Sequence, residues 1–287
     1  MSQTAQNKQR PFACVAGDPI AHSLSPLMHQ TWLKATGIEA EYNPLHVGAA
    51  DFEKEVLALF ENENFVGMNV TLPHKRAAFE IADMASEEAR AAGVANLLVR
   101  KNGQIYAHNT DIEGFVAPLS ALRPKGFWQG KHIVVIGAGG AAKAALLGAL
   151  SLNPQQIMLS NRTDEKAQIL AKFYENKVLA LPWKDRHEAL AYADLLINTS
   201  AAGMTGKPPL SLSLTNLNKS ALVYDLIYTP LQTPLLIEAK KSGHDVLNGL
   251  DMLIAQARPS FEVFFGQKAP TGIGIKQVLE HALEKCP

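Results

Sequence analysis

Apolar positions along this chain alternate between two kinds of segment. Short apolar runs such as PFACVAG (11–17), VGMNVTLP (66–73) and KHIVVIG (131–137) hold β-branched residues between Pro or Gly and read as strands. Longer stretches between them repeat apolar residues at helical spacing, as in SPLMHQTWLKATG (25–37), ADFEKEVLALF (50–60), HKRAAFEIADMA (74–85) and GGAAKAALLGAL (139–150). The first of these places Ser25 at the N-cap, Pro26 in the first turn and Gly37 past the end. Strands alternating with helices predict βα units on largely parallel sheets.

The alternation breaks at ANLLVR-KNG-QIYAHN, where two strand-like runs flank Asn102-Gly103, a hairpin signal. DIEGFVAPLSAL (111–122) then reads as a helix, and LRPKGFWQG (122–130) as a Pro/Gly connector. A second βα series follows, with strands at KHIVVIG, QQIMLSN, VLALPW, ADLLINTS and ALVYDLIY. TDEKAQILAKFYEN, opened by Thr163, and TPLLIEAKKSG, closed by Gly243, are its further helices. LDMLIAQARPSFEVFFG and IGIKQVLEHALEK are helical with no strand between them, so periodicity leaves their domain open. The expectation is α/β, in two domains.

Composition narrows the function classes. The 287 residues carry 27 basic against 27 acidic groups, with no basic stripe, so nucleic acid is not an expected partner. Cys14 and Cys286 are the only cysteines, which predicts neither a disulfide framework nor a CxxC-type metal site. The nine histidines show no zinc-ligand spacing. The N-terminal MSQTAQNKQR is polar and reads as no signal peptide, and no apolar run approaches the ~18 residues of a membrane span. A cytoplasmic protein is expected.

The strongest chemical motif is IVVIGAGGAAKAALL (133–147), a G-x-G-x-x-A at Gly137, Gly139 and Ala142 between a strand and a helix. Gly137 permits the turn, Gly139 lets a pyrophosphate approach, and open N–H groups at the helix start attract it. The next strand ends in Asn161-Arg162-Thr163 where an NAD site usually carries an acid. A guanidinium suits a 2′-phosphate, so NADP is expected over NAD. In HSLSP (22–26), Ser23 and Ser25 precede a helix whose start can hold a carboxylate. No G-x-S-x-G elbow surrounds either serine, which argues against a nucleophile. Judged singly, Ser25 and Asp111 also read as N-caps, Ser23 as a loop serine, and Lys75 and Arg162 as solvated strand-end residues. Asn96, Tyr228 and Gln256 carry no signal alone.

Taken together, HSLSP, GMNVTLPHK, NTD, GAGGA, NRT, NTSAAGM, VYDLIYTPLQTPLL and GLDMLIAQA resemble, in order and spacing, the shikimate dehydrogenases. The resemblance runs from about residue 12 to the C-terminus. It implies a discontinuous substrate-binding and catalytic domain, 1–111 with 249–287, and an inserted Rossmann-type NADP-binding domain, 112–248. It implies Lys75 and Asp111 as the catalytic pair, with Ser23 and Ser25 as carboxylate ligands. Thr71, Asn96, Tyr228 and Gln256 match further substrate positions. Gly137, Ala138, Gly139, Gly140 and Ala141 match the phosphate loop, and Asn161, Arg162, Thr163 and Lys166 the adenosine-phosphate loop. Leu226 and Gly249 fall where the family approaches the nicotinamide, and no metal is implied. Two departures stand out: Leu97 follows Asn96 where the family commonly has Thr, and Ile112-Glu113 separate Asp111 from Gly114. The implied activity is reversible NADPH-dependent reduction of 3-dehydroshikimate to shikimate, by a monomer or homodimer. Alternatives are a quinate/shikimate dehydrogenase of broader range and a non-catalytic NADP-binding sensor. Reducing a ketone by hydride leaves an alkoxide that needs a proton or positive charge. A lysine, titrating near ~10.4 in water but movable by burial and neighbours, suits that task beside a carboxylate.

Overall fold

A computed structural model describes residues 10–285; residues 1–9 of the polar N-terminal stretch and Cys286 lie outside the described residues. By backbone proximity the chain divides into two compact units. One runs up to Thr110 and resumes over Ala257–Leu279, and the other covers Asp111–Gln256 and the chain from Glu280.

In the first unit, β1 (Phe12–Gly17), α1 (Ser25–Thr36), β2 (Glu41–His46), α2 (Phe52–Phe60) and β3 (Phe65–Val70) form the βα series. α3 (Lys75–Glu80), β4 (Met84–Ala85), α4 (Glu87–Ala92) and the hairpin β5 (Leu97–Lys101), β6 (Gln104–His108) follow. The sheet order is β2-β1-β3-β5-β6-β4. Pairings of β1 with β2, β1 with β3 and β4 with β6 are parallel; β5 runs antiparallel to β3 and β6. The reversal comes from the tight Asn102-Gly103 turn, whose φ angles of 53° and 79° suit Asn and Gly. Pattern reading ran one helix over 74–85, whereas α3 ends at Glu80 and Met84–Ala85 pair as β4, and it passed over α4. β4 has two residues, too few for a period, but α4 carries ordinary signals. Ser86 caps it by accepting from Ala89 N, and Gly93 ends it left-handed at φ 64°.

Side chains alternate across this sheet. Cys14 and Ala16 of β1 and Met68 and Val70 of β3 face one core with Phe52, Val56 and Phe60 of α2. Asn69 joins the opposite side, where aromatics from α1, β2 and the returning chain collect. The ring of His29 stacks on Tyr42 at 3.9 Å, Trp32 meets Phe261 edge-on at 5.5 Å, and Tyr42 lies 6.2 Å from Phe264. Burial pushes His29 down to about 3, so it packs as a neutral ring. Burial likewise pushes the Cys14 thiol up to about 12, an inert core group.

The second unit opens with α5 (Asp111–Leu122), then β7 (His132–Ile136), α6 (Gly140–Ser151), β8 (Gln156–Ser160), α7 (Asp164–Lys172) and β9 (Val178–Leu181). It continues through α8 (Arg186–Ala189), β10 (Leu195–Asn198), β11 (Leu222–Asp225), α9 (Pro234–Lys241) and β12 (Asp245–Leu247). α10 (Gly249–Phe265) carries the chain back to the first unit, and α11 (Ile275–Lys285) ends it. All pairings in this sheet are parallel, in the order β12-β11-β10-β7-β8-β9. Counted within the unit, that is 3-2-1-4-5-6, the doubly wound dinucleotide-binding order, with its switch point between β7 and β10. Both faces are covered: Ile133 and Val135 enter one core, Val134 and Ile136 the other. β12, three residues at the edge, was also missed by pattern. Among the described residues no helix is long and apolar enough to cross a membrane.

The entry to α10 is a close backbone crossing. Gly249 N–H donates to Ile227 O at 3.0 Å, and a Cβ at Gly249 would fall onto the Leu226 carbonyl oxygen, with Ile227 C only 3.0 Å away. The obstructing atoms are main chain and cannot rotate aside. Gly249→Ala should therefore cost on the order of 3 kcal/mol. Urea unfolding checks this; an unchanged midpoint would show that the 226–228 segment yields freely.

Candidate functional site

In the first unit the topology gathers the sequence-predicted groups on one sheet edge. Ser23 and Ser25 follow the C-terminal end of β1, Thr71 and Lys75 that of β3, and Asn96 stands at the start of antiparallel β5. β6 ends on the same edge and leads through Asn109 and Thr110 to Asp111.

Each group is held by main chain. Thr71 N donates to Ala16 O at 2.9 Å, and its carbonyl accepts from His74 N at 2.9 Å, forming the turn before α3. His74 is 2% exposed; its ring stacks on Phe52 at 4.5 Å, and its Nε2 lies 2.7 Å from Val47 O. That anchor fixes Lys75 as the first residue of α3, half-buried, with its carbonyl accepting from Ala95 N. The buried Asn96 amide is a two-way tie: Nδ2 donates to Thr110 Oγ1 at 2.9 Å, and Oδ1 accepts from Thr110 N at 2.8 Å. Asn96 thereby sets the backbone immediately before Asp111, which begins α5 as a helical residue rather than as its cap.

The N-cap reading of Ser25 is corrected. Leu24 occupies that position in a helical conformation with no side-chain bond, and Ser25 is the first residue of α1. Met28 N donates to Leu24 O at 3.0 Å, so the first helical bond closes on Leu24, and Pro26 is tolerated in the first turn because no N–H is needed there. Ser23, read above as an ordinary loop serine, does carry a bond: its Oγ accepts from Ser25 N at 3.3 Å. Leu97, at the family's usual Thr position, is 1% exposed in the core.

In the second unit Gly137, at φ 112°, turns β7 into α6, and Thr199 N and Oγ1 both donate to Ile136 O. Asn161 ties the loops, its Oδ1 accepting from Ala138 N at 3.1 Å and its Nδ2 donating to Thr163 O at 2.8 Å. Gly139 is extended, with nothing within 4 Å of a built Cβ, and α6 has no side-chain cap. Exposed Gly140 and Ala141 start that helix, so its first N–H groups face open space, which fits the phosphates of a dinucleotide. Arg162 lines a cavity of about 340 Å³ above the switch point, whereas Lys166 lines a separate depression with Lys143 and Gly139. Motif reading missed Lys143, Trp183, Ser200 and Lys207. Lys143 follows the glycine motif directly and was legible, whereas the others come from loops whose approach only the fold sets.

A buried carboxylate organises the loops that follow β10 and β11. Asp225 ends β11 fully buried and accepts from Thr233 Oγ1 at 2.6 Å, Asn198 Nδ2 at 3.0 Å and Ile227 N at 3.2 Å. Thr233 caps α9, and Asn198 Oδ1 accepts from Ser200 N and Oγ. The segment carrying Leu226 and Tyr228 is thus pinned; Leu226 N also donates to Asn198 O, and burial raises the Tyr228 hydroxyl. Gln256 donates to Leu253 O within α10.

Comparison with known proteins matches the family models described as "Shikimate dehydrogenase substrate binding domain" over 15–98, "Shikimate / quinate 5-dehydrogenase" over 121–208 and "Shikimate 5'-dehydrogenase C-terminal domain" over 249–279. A shikimate dehydrogenase (NADP(+)) of Rhodopseudomonas palustris (strain TIE-1) is 41% identical over 93% of this chain and 95% of its own length. A Thermus thermophilus shikimate 5-dehydrogenase, solved in complex with NADP(H) and shikimate, is 30% identical with TM-score 0.82, covering 96% of this chain and 99% of that one. A quinate dehydrogenase from Corynebacterium glutamicum, solved with NAD, is 26% identical with TM-score 0.86 over 96% and 99%.

Burial pushes Asp225 from 3.8 up to about 6, against its three hydrogen bonds. The folded state then binds this proton more tightly than the unfolded chain. The stability Asp225 contributes is present below its unfolded value and lost as pH rises through about 6. Asp225→Asn removes that dependence. Between about pH 4 and pH 7 the variant should gain roughly 2–3 kcal/mol on the parent in urea unfolding, whatever its constant offset. A pH-independent difference would show that the carboxyl titrates normally.

Proposed function

The chain belongs to the shikimate dehydrogenase family, and from that premise we propose that it catalyses the reversible NADPH-dependent reduction of 3-dehydroshikimate to shikimate, a step toward chorismate and the aromatic amino acids. The observation that carries this reading is the single sheet edge bearing Ser23, Ser25, Thr71, Lys75 and Asn96, from which the chain runs directly into Asp111. Residues 1–111 with 249–287 act as the substrate domain and 112–248 as the NADP domain.

The nicotinamide, when bound, supplies or accepts the hydride. Lys75 gives a proton to the developing alkoxide in reduction and takes it back in oxidation, and Asp111 orients the ammonium. Asn96 supports this pair by fixing Thr110, and it is assigned to the substrate with Thr71, Tyr228 and Gln256. Ser23, Ser25 and the start of α1 hold the substrate carboxylate. The Gly137–Ala141 loop receives the pyrophosphate, Asn161, Arg162, Thr163 and Lys166 the adenosine phosphate, and Leu226 and Gly249 flank the nicotinamide. The cations at and after β8 favour NADP, as the absence of an acid there already suggested. A broader quinate/shikimate activity is the second reading, supported by the fold likeness to a quinate dehydrogenase at TM-score 0.86.

A nicotinamide absorbance assay crossing NADP and NAD with shikimate and quinate tests both readings. Turnover with NADP and shikimate is expected to dominate; none with either acid overturns the proposal. Lys75→Ala should lower kcat ~10²–10⁴-fold with a smaller change in KM. Near-normal turnover would make Lys75 a solvated strand-end residue.

The carboxylate serines act at a part of the substrate whose charge does not change. Ser25→Ala should raise KM and cost roughly 0.5–3 kcal/mol in kcat/KM with kcat nearly constant. Because Ser23 also accepts from Ser25 N, Ser23→Ala should lower the thermal midpoint as well as raise KM. Unchanged KM in both variants places the carboxylate elsewhere.

A further inference from the structure

The cavity above the switch point is lined by two cations and an indole that come from different loops. Arg162 enters from the end of β8, Trp183 from the segment after β9 and Lys207 from the loop after β10. No carboxylate belongs to its lining, and among the described residues neither Arg162 nor Lys207 forms an ion pair. Two cations left without a counter-charge on one concave surface make a site for an anion.

Lys207 sits on a pinned turn. Gly203 N donates to Pro208 O and Lys207 N to Met204 O, each at 2.8 Å, and Thr205 N to Thr229 O at 3.0 Å. Pro208 and Pro209 follow at once and restrict the backbone beyond it. Trp183 is equally fixed. Its N–H donates to Asp164 Oδ1 at 2.8 Å, and the Arg186 guanidinium lies 4.2 Å from the ring centroid while bonding Trp183 O and Ser211 O. An apolar aromatic wall and two cations within about 340 Å³ suit a purine beside a phosphate.

We propose that Lys207 and Trp183 complete the adenosine 2′-phosphate subsite, Lys207 as a second cation for the phosphate and Trp183 as the wall against the adenine. This rests on the NADP reading above. A 2′-phosphate carries nearly two negative charges near neutral pH, and Lys166 lines a separate depression, so within this cavity Arg162 without Lys207 leaves about half uncompensated. Lys207, as a point charge, discriminates by charge; Trp183 contacts a base that both dinucleotides share.

The test is equilibrium binding without substrate, by calorimetry with NADPH, NADH and 2′,5′-ADP as probes. Lys207→Gln should raise the Kd for NADPH and 2′,5′-ADP roughly fivefold to thirtyfold, leave that for NADH within about twofold and flatten the salt dependence. Lys207→Arg should restore most of the loss. Trp183→Ala should weaken all three ligands by similar factors, and Trp183→Phe should recover them, with thermal midpoints confirming that each variant is folded. If Lys207→Gln binds NADPH as tightly as the parent, or loses NADH equally, the assignment of Lys207 is wrong while the NADP reading stands. If Trp183→Ala leaves all three unchanged, the adenine wall is wrong. If the parent binds neither dinucleotide, the NADP reading falls and this inference with it.

Discussion

A chain that leaves its first unit at Thr110 and returns at Ala257 needs a contact that recognises the return, and Asn69 provides it. Its Nδ2 donates to Ser260 Oγ at 2.8 Å across 191 residues of sequence and to Asn96 O at 3.0 Å; its Oδ1 accepts from Tyr42 OH at 2.8 Å. The amide is buried, so each of these bonds replaces water that cannot reach it, and losing a partner would strand a polar group in the core. The aromatic cluster around it, His29 and Trp32 with Phe261 and Phe264, supplies the apolar area. The amide supplies the register of α10 against the sheet.

The same amide touches the chemistry. Asn69 holds the carbonyl of Asn96, and the Asn96 side chain holds Thr110, the residue before Asp111. The proposed carboxylate is therefore the next residue along a chain of buried hydrogen bonds that begins in the core. Lys75 is positioned by a different route, through His74 and the Phe52 ring. The two side chains assigned to one proton transfer thus have different side-chain supports, which meet where Ala95 N, next to Asn96, donates to the Lys75 carbonyl.

In the second unit the Asp225 carboxylate does comparable work for loops rather than for a single residue. It joins the end of β11, the start of α9 and, through Asn198, the loop that carries Ser200. A buried charge with three donors is costly to desolvate, which the raised pKa reflects, yet it specifies one arrangement of segments that are short and have no pattern of their own.

Local chemistry was legible in the sequence wherever one segment carried the whole signal. The strand–glycine–helix of 133–147 and the Asn102-Gly103 hairpin belong to that class, while the βα alternation and the motif set that marks the family were legible as an ordered series of such segments. Three things were decided only by tertiary structure. Ser25 lost its apparent cap role because the first helical hydrogen bond, from Met28 N, closes on the Leu24 carbonyl one residue earlier. β4, at two residues, and β12, at three, exist only as pairings with a neighbouring strand, so no periodicity announces them. Lys207 and Trp183 share a cavity because 3-2-1-4-5-6 winding brings the ends of β8, β9 and β10 to one side of the sheet. Periodicity reports what a residue does relative to its own segment; which distant loops share a surface is set by sheet order and by buried ties such as Asn69 and Asp225, and a single sequence carries no local trace of either.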